Sequence, residues 1–161
     1  MVRFYGNTWG RKKKSRPEES LQIVAFNYLR ALMHLQKMVY FLAFQVRNES
    51  NRGGKTEAEK KAAAIAGAIA KSMGRMSGVS DAVFLFRGGK VVFVEFKAYT
   101  PPKNNPHAPA PPDYEMSETQ MAFRDAVQAL GFEYRLIAAR DANDVLAQVI
   151  SLLRENGVPV Q

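Results

Sequence analysis

The sequence predicts a mixed α/β domain, with a central sheet flanked by helices. Three observations carry this. Segments with helical spacing of apolar residues alternate with short β-rich runs. Two apolar runs, Asp81 to Phe86 and Lys90 to Lys97, are joined through Gly88-Gly89 and read as a hairpin. The chain has 161 residues, 47% hydrophobic and 24% charged, enough for one domain with a real core and unlike a disordered segment.

The elements follow in order. Ser15-Arg16-Pro17-Glu18 supplies a cap, an early proline and an acid in capping-box position, so a helix starts near Pro17 and runs to about Leu35. Apolar residues cover most of its circumference, which predicts a well-buried helix. Val39 to Val46 reads as a strand. Arg47 to Lys55 is a polar loop, and Thr56 to Ser72 is an alanine-rich helix ending near Gly74. After the hairpin, Thr100 to Pro112 holds six of the eight prolines and reads as a long irregular loop. Ser117 caps a helix to about Leu130, ended by Gly131. Phe132 to Ala138 is a strand, and Asp141 opens a final helix to about Glu155. The order is α-β-α-β-β-α-β-α, without an internal repeat. Residues 17–161 form one domain behind an arm of residues 1–16.

That arm carries Arg3, Arg11, Lys12, Lys13, Lys14 and Arg16 and no acid, so +6 of the net charge of +8 lies there. Phe4, Tyr5 and Trp9 accompany it. Cations neutralise phosphates and aromatics stack on bases, so the arm suits a nucleic acid, although a solubilising tail has the same composition. Arg47, Arg52 and Lys55, with Gly53-Gly54, add a second candidate phosphate grip. The GGKT there lacks the glycine a phosphate-binding loop needs five residues before Gly54, where Glu49 stands. Without cysteine there is no disulfide, thiolate metal site or thiol nucleophile. No apolar run is long enough to span a bilayer and no signal peptide is legible, so the expectation is a cytoplasmic protein that uses no membrane.

The chemistry concentrates at one end of the hairpin. Glu95 and Lys97 are two apart and share one face of the second strand, with Phe93 and Val91, while Phe96 points the other way. Register decides where Asp81 lies. A bare two-residue turn at Gly88-Gly89 would pair it with Phe96 and turn its side chain away. A three-residue loop of Arg87, Gly88 and Gly89, or a bulge, would pair it with Glu95. One of these devices is expected, because two close carboxylates suit a hard divalent cation, Mg²⁺ or Mn²⁺. Such an ion polarises a phosphodiester and activates water. The Phe96 carbonyl lies close enough to add a ligand, and Lys97 would hold that water or stabilise charge on the phosphate. A surface Glu95–Lys97 ion pair with an unrelated Asp81 is the plainer alternative.

G-V-S-D before a hairpin, then V-E-F-K-A, resembles the PD-(D/E)XK nuclease core, which is restriction-endonuclease-like, and within it the VRR-NUC (virus-type replication-repair nuclease) branch of stand-alone phage and bacterial proteins. Ser80 stands where that motif usually has proline. Phe44 to Glu49, Gly74 to Gly78, Glu19-Ser20-Leu21-Gln22 and Ser117-Glu118-Thr119-Gln120 resemble the family's flanking motifs, so the likeness spans about Glu18 to Leu153. It implies metal-dependent hydrolysis of DNA phosphodiesters, often in branched DNA such as Holliday junctions or flaps, by a homodimer with a role in DNA repair. It places Gln120 beside Lys97 or the attacking water, where Ser117-x-x-Gln120 alone reads equally well as a capping box. It also admits Glu19 to the metal shell, directly or through water. Glu18 fits the helix cap better. Two other readings stand beside the nuclease: a nuclease-like module that binds branched DNA without cutting it, and a basic RNA-binding protein.

Overall fold

The computed structural model describes residues 17–35, 38–46, 56–72, 74 and 76–160. Its elements are α1 (Pro17–Leu35), β1 (Phe41–Gln45), α2 (Glu57–Ser72), β2 (Ala82–Phe86), β3 (Val91–Ala98), α3 (Glu118–Ala129), β4 (Glu133–Ala139) and α4 (Ala142–Glu155). The mixed α/β class and the predicted order are both observed. The basic arm, Arg11, Lys12, Lys13 and Lys14 included, and the loop carrying Arg47, Arg52 and Lys55 lie outside the described residues.

The four strands lie in the order β1-β2-β3-β4. β1 and β2, and β2 and β3, pair antiparallel, while β3 and β4 pair parallel. A parallel neighbour needs a crossover, and the proline-rich segment and α3 supply it. β3 is thus central and alternates strictly. Val92, Val94 and Phe96 enter the main core with Leu21, Ala25 and Leu29 of α1 and Val145, Val149, Leu152 and Leu153 of α4. Phe93, Glu95 and Lys97 take the opposite face, where Phe93 meets Phe123 of α3 with ring centroids 5.7 Å apart and Phe132 at 6.1 Å.

α1 differs from expectation. Only Leu21, Ala25 and Leu29 are buried, while Ile23 and Leu35 are 55% and 77% exposed. α1 packs on one face of the sheet over β3 and beside α4, with nothing among the described residues covering its outer side, so one stripe is all it buries. On the face opposite α1, Leu42, Phe44 and Leu85 of β1 and β2 remain exposed; Ile65 and Ile69 of α2 are exposed as well.

The hairpin register is set by its turn. Val83 faces Phe93 and Leu85 faces Val91, which carries Asp81 opposite Glu95. The Phe86 N–H donates to Lys90 O at 2.8 Å, so Arg87, Gly88 and Gly89 form a three-residue connection. Gly88 and Gly89 both have positive φ, +91° and +87°. Both are open to solvent, so a side chain there meets strain but no collision. Gly88→Val is expected to cost roughly 1–3 kcal/mol, read by denaturant unfolding with an unchanged m-value.

Candidate active site

Asp81 is held where β2 begins. Ser80 is fully buried, and its hydroxyl donates to Ala82 O at 3.1 Å, tying down the turn into the strand. One Asp81 carboxylate oxygen accepts from the Phe96 N–H at 2.9 Å. Along β3, alternate residues turn their peptide groups to opposite neighbours, and Tyr99 N–H already bonds Ala139 O of β4. Phe96 therefore turns both its N–H and its carbonyl toward Asp81.

Glu95 is 2% exposed and Lys97 9%. The Lys97 ammonium lies 3.4 Å from Glu95 Oε1 and 3.9 Å from Glu18 Oε1. Gln120 Nε2 donates to Glu95 Oε1, while Gln120 Oε1 accepts from the Ser117 N–H at 2.9 Å. The capping-box reading of Gln120 is observed, and the same amide meets Glu95 rather than Lys97. The capping box fixes the amide, and the fixed amide presents its donor to Glu95. Glu95 Oε2 is buried and has no hydrogen-bond partner.

Burial raises the Asp81 carboxyl above its ordinary value, against the Phe96 N–H and the Lys97 charge, which lower it. Burial, then the charge of Asp81, pushes Glu95 up to about 8, against Lys97. The free protein thus favours a proton on this pair. A carboxyl whose folded value lies above its unfolded value stabilises the fold fully below the unfolded value and loses that contribution as pH rises to the folded one. The melting temperature in chelator is expected to fall from about pH 5 to pH 8. Glu95→Gln should flatten that slope, and equal slopes in both proteins would show that Glu95 ionises normally.

The first helix brings Glu18 to Lys97, whereas Glu19 lines a groove with Gln22, Ala43, Phe44 and Gln45. Gln22, one turn after Glu18, lies near the Asp81 side chain and offsets a little of the rise in its pKa. Tyr134 on β4 was not singled out by sequence. It faces the same side as Glu95, its hydroxyl is buried without a partner, and burial and the two carboxylates raise its pKa. The i,i+4 spacing of Glu18 and Gln22 was a usable signal for that pair. Tyr134 had none before β3 and β4 were aligned.

Among the described residues, no group of three or more His, Cys, Asp and Glu side chains converges as a metal site. The donor set here is two carboxylates, one with an unpartnered buried oxygen, and a main-chain carbonyl. It fits an ion that keeps several water ligands, as Mg²⁺ does.

No family model matches the chain, and no curated protein matches it. A solved structure described as a VRR_NUC domain is similar to it, with 16% identity, a TM-score of 0.43, and coverage of 87% of this chain and 97% of that one. No helix among the described residues is long and apolar enough to cross a membrane.

Proposed function

We propose that this protein is a metal-dependent DNA endonuclease of the VRR-NUC type, hydrolysing phosphodiester bonds in branched DNA such as junctions or flaps. The observation that carries the reading is the burial of Glu95 opposite Asp81 and beside Lys97, with one Glu95 oxygen unpartnered. Burying such charges costs stability, so their retention points to a use other than holding the fold. Asp81, Glu95 and the Phe96 carbonyl would hold Mg²⁺ or Mn²⁺, with Glu19 completing the shell directly or through water. The ion, when bound, supplies positive charge to the phosphate and lowers the pKa of water. Lys97 orients the attacking water and meets the negative charge that grows on the phosphoryl oxygens. Gln120 holds Glu95 in place and shares in orienting that water.

The test is incubation with labelled four-way junction, flap, duplex and single-stranded DNA, each with Mg²⁺, Mn²⁺ or chelator. Metal-dependent product that disappears in Asp81→Ala and Lys97→Ala supports the reading. Tight binding without product under every condition would favour the non-cutting module, and preference for RNA would favour the RNA-binding alternative. Cleavage that survives both substitutions would place the chemistry elsewhere.

The arm is read as a phosphate grip. Deleting residues 1–14 is expected to weaken DNA binding and flatten its salt dependence, measured from 50 to 200 mM salt. Unchanged affinity at both ends of that range would remove the arm from binding. Two sites related by a two-fold axis would suit a symmetric junction, and the exposed Leu42, Phe44 and Leu85 offer an apolar surface for a homodimer. Sedimentation at micromolar concentration tests it.

A further inference from the structure

Beside the candidate active site, on the same sheet face, lies a cavity of about 430 Å³ between the proline-rich segment and β4–α4. Its floor includes Leu136 and Ala138. These are the register partners of Glu95 and Lys97 on the neighbouring strand. Adjacent strands are about 4.8 Å apart. Successive nucleotides along one strand of duplex advance about 3.4 Å, and further when unstacked. A phosphate over Glu95 and Lys97 on a strand that runs toward β4 would have its neighbouring nucleotide over this cavity.

We infer that the cavity takes one unpaired nucleobase next to the bond that is cut. The inference rests on the nuclease reading and gives its substrate class: DNA in which a base flanking the cut is free of its partner. The chemistry of the walls favours a base over a phosphate. Pro109, Pro111 and the ring of Tyr99 offer flat apolar surface, and the Asp144 carboxylate in the wall is paired with Arg140. Gln148 spends its Nε2 donors on Ala138 O at 2.9 Å and Asp144 Oδ1 at 3.1 Å. Both partners are acceptors, so the amide orientation is fixed and its Oε1 remains an acceptor for a ring or exocyclic N–H. Arg140 gives Nε to Asp144 Oδ2 at 2.9 Å, which leaves its terminal nitrogens for backbone phosphate outside.

The cavity is built rather than incidental. The Tyr99 hydroxyl donates to Pro109 O at 3.2 Å, and Tyr114 packs edge-on against Tyr99 with ring centroids 4.9 Å apart. The prolines fix φ along the wall, so little order remains to be gained on binding. A volume near 430 Å³ is enough to hold a nucleoside. The base must leave its stack to enter.

Two measurements test this. The first uses wild-type protein, Mn²⁺, and flap DNA carrying a single abasic site at each position in turn. One position flanking the cut should lower kcat/KM about tenfold, with positions three or more nucleotides away unaffected. A flat profile would overturn the inference. The second uses chelator, so that nothing is cut, and a single-stranded oligonucleotide with 2-aminopurine. Its fluorescence should change on binding, and Ala110→Trp, which fills the cavity from the loop, should weaken affinity about tenfold at an unchanged melting temperature. Equal affinity in the folded variant would also overturn it. If Ala110→Trp fails to fold, the abasic profile alone decides. Metal-dependent hydrolysis of bis(p-nitrophenyl) phosphate, which has no base, separates the two failures. Turnover of that diester with a flat abasic profile rejects the cavity alone, and no turnover of either substrate rejects the nuclease reading.

Discussion

Asp81→Asn is expected to abolish cleavage and, in chelator, to raise the melting temperature. Both effects have one origin. Asp81 and Glu95 are carboxyls raised by burial, and the charge of Asp81 adds to the burden on Glu95. Asparagine keeps an oxygen for the Phe96 N–H, which Asp81 accepts at 2.9 Å, while removing the charge. The free protein gains because a buried repulsion is gone. Catalysis loses at least about 100-fold because a neutral amide is a poor ligand for a hard cation and stabilises no developing charge. Lys97→Met should also lower kcat by about 100- to 1,000-fold. Its stability effect should have the opposite sign, since it removes the cation that offsets Glu95. Calorimetry in chelator beside single-turnover cleavage reads both quantities. A fall in melting temperature for Asp81→Asn would mean that the carboxylate pair stabilises the fold and that its placement needs no functional explanation.

Gly78→Ala is expected to be the most damaging single methyl in the hairpin region. Gly78 has φ of +77°, and a Cβ there would collide with the Thr119 carbonyl and lie 2.8 Å from Gln120 N. Both obstacles are backbone at the start of α3, so no rotamer change relieves them. Left-handed strain and overpacking together are worth about 2–5 kcal/mol. Gly74 provides the control. Its φ is +88° with open space around it, so Gly74→Ala carries strain without collision and should cost less. If the chain relaxes by pushing α3 away, Gln120 leaves Glu95 and cleavage falls by more than the stability loss accounts for. Equal melting temperatures for the two variants would show that the close approach is not needed.

Much of this was legible in the sequence because it depends on local rules. α1 begins and ends where proline and apolar spacing place it. The Arg87-Gly88-Gly89 connection was one of two possible turns, and the need to bring Asp81 to the face of Glu95 selected the one that the register has. Gln120 was legible as a capping residue and as a site residue, but not as both at once, because that requires knowing where α3 lies over β3. That Glu18 rather than Glu19 lies beside Lys97 was not legible for a similar reason. Two adjacent helix positions differ by about 100° around the axis, and only the docked orientation of α1 decides which reaches Lys97. The base cavity and Tyr134 depend on the parallel pairing of β3 with β4, which no local pattern announces.

The alternation of β3 has an evolutionary consequence. Its even-numbered residues, Val92, Val94 and Phe96, are committed to the core, while its odd-numbered residues carry Glu95 and Lys97. A strand used in this way lets inheritance act on the two sets separately. Drift at the odd positions can silence or redirect the chemistry while the scaffold persists, and relief of buried charge would even reward it. Descendants of such a chain could keep the shape long after losing the reaction, so among relatives the identities at positions 81, 95 and 97 would be a better guide to activity than overall likeness of fold.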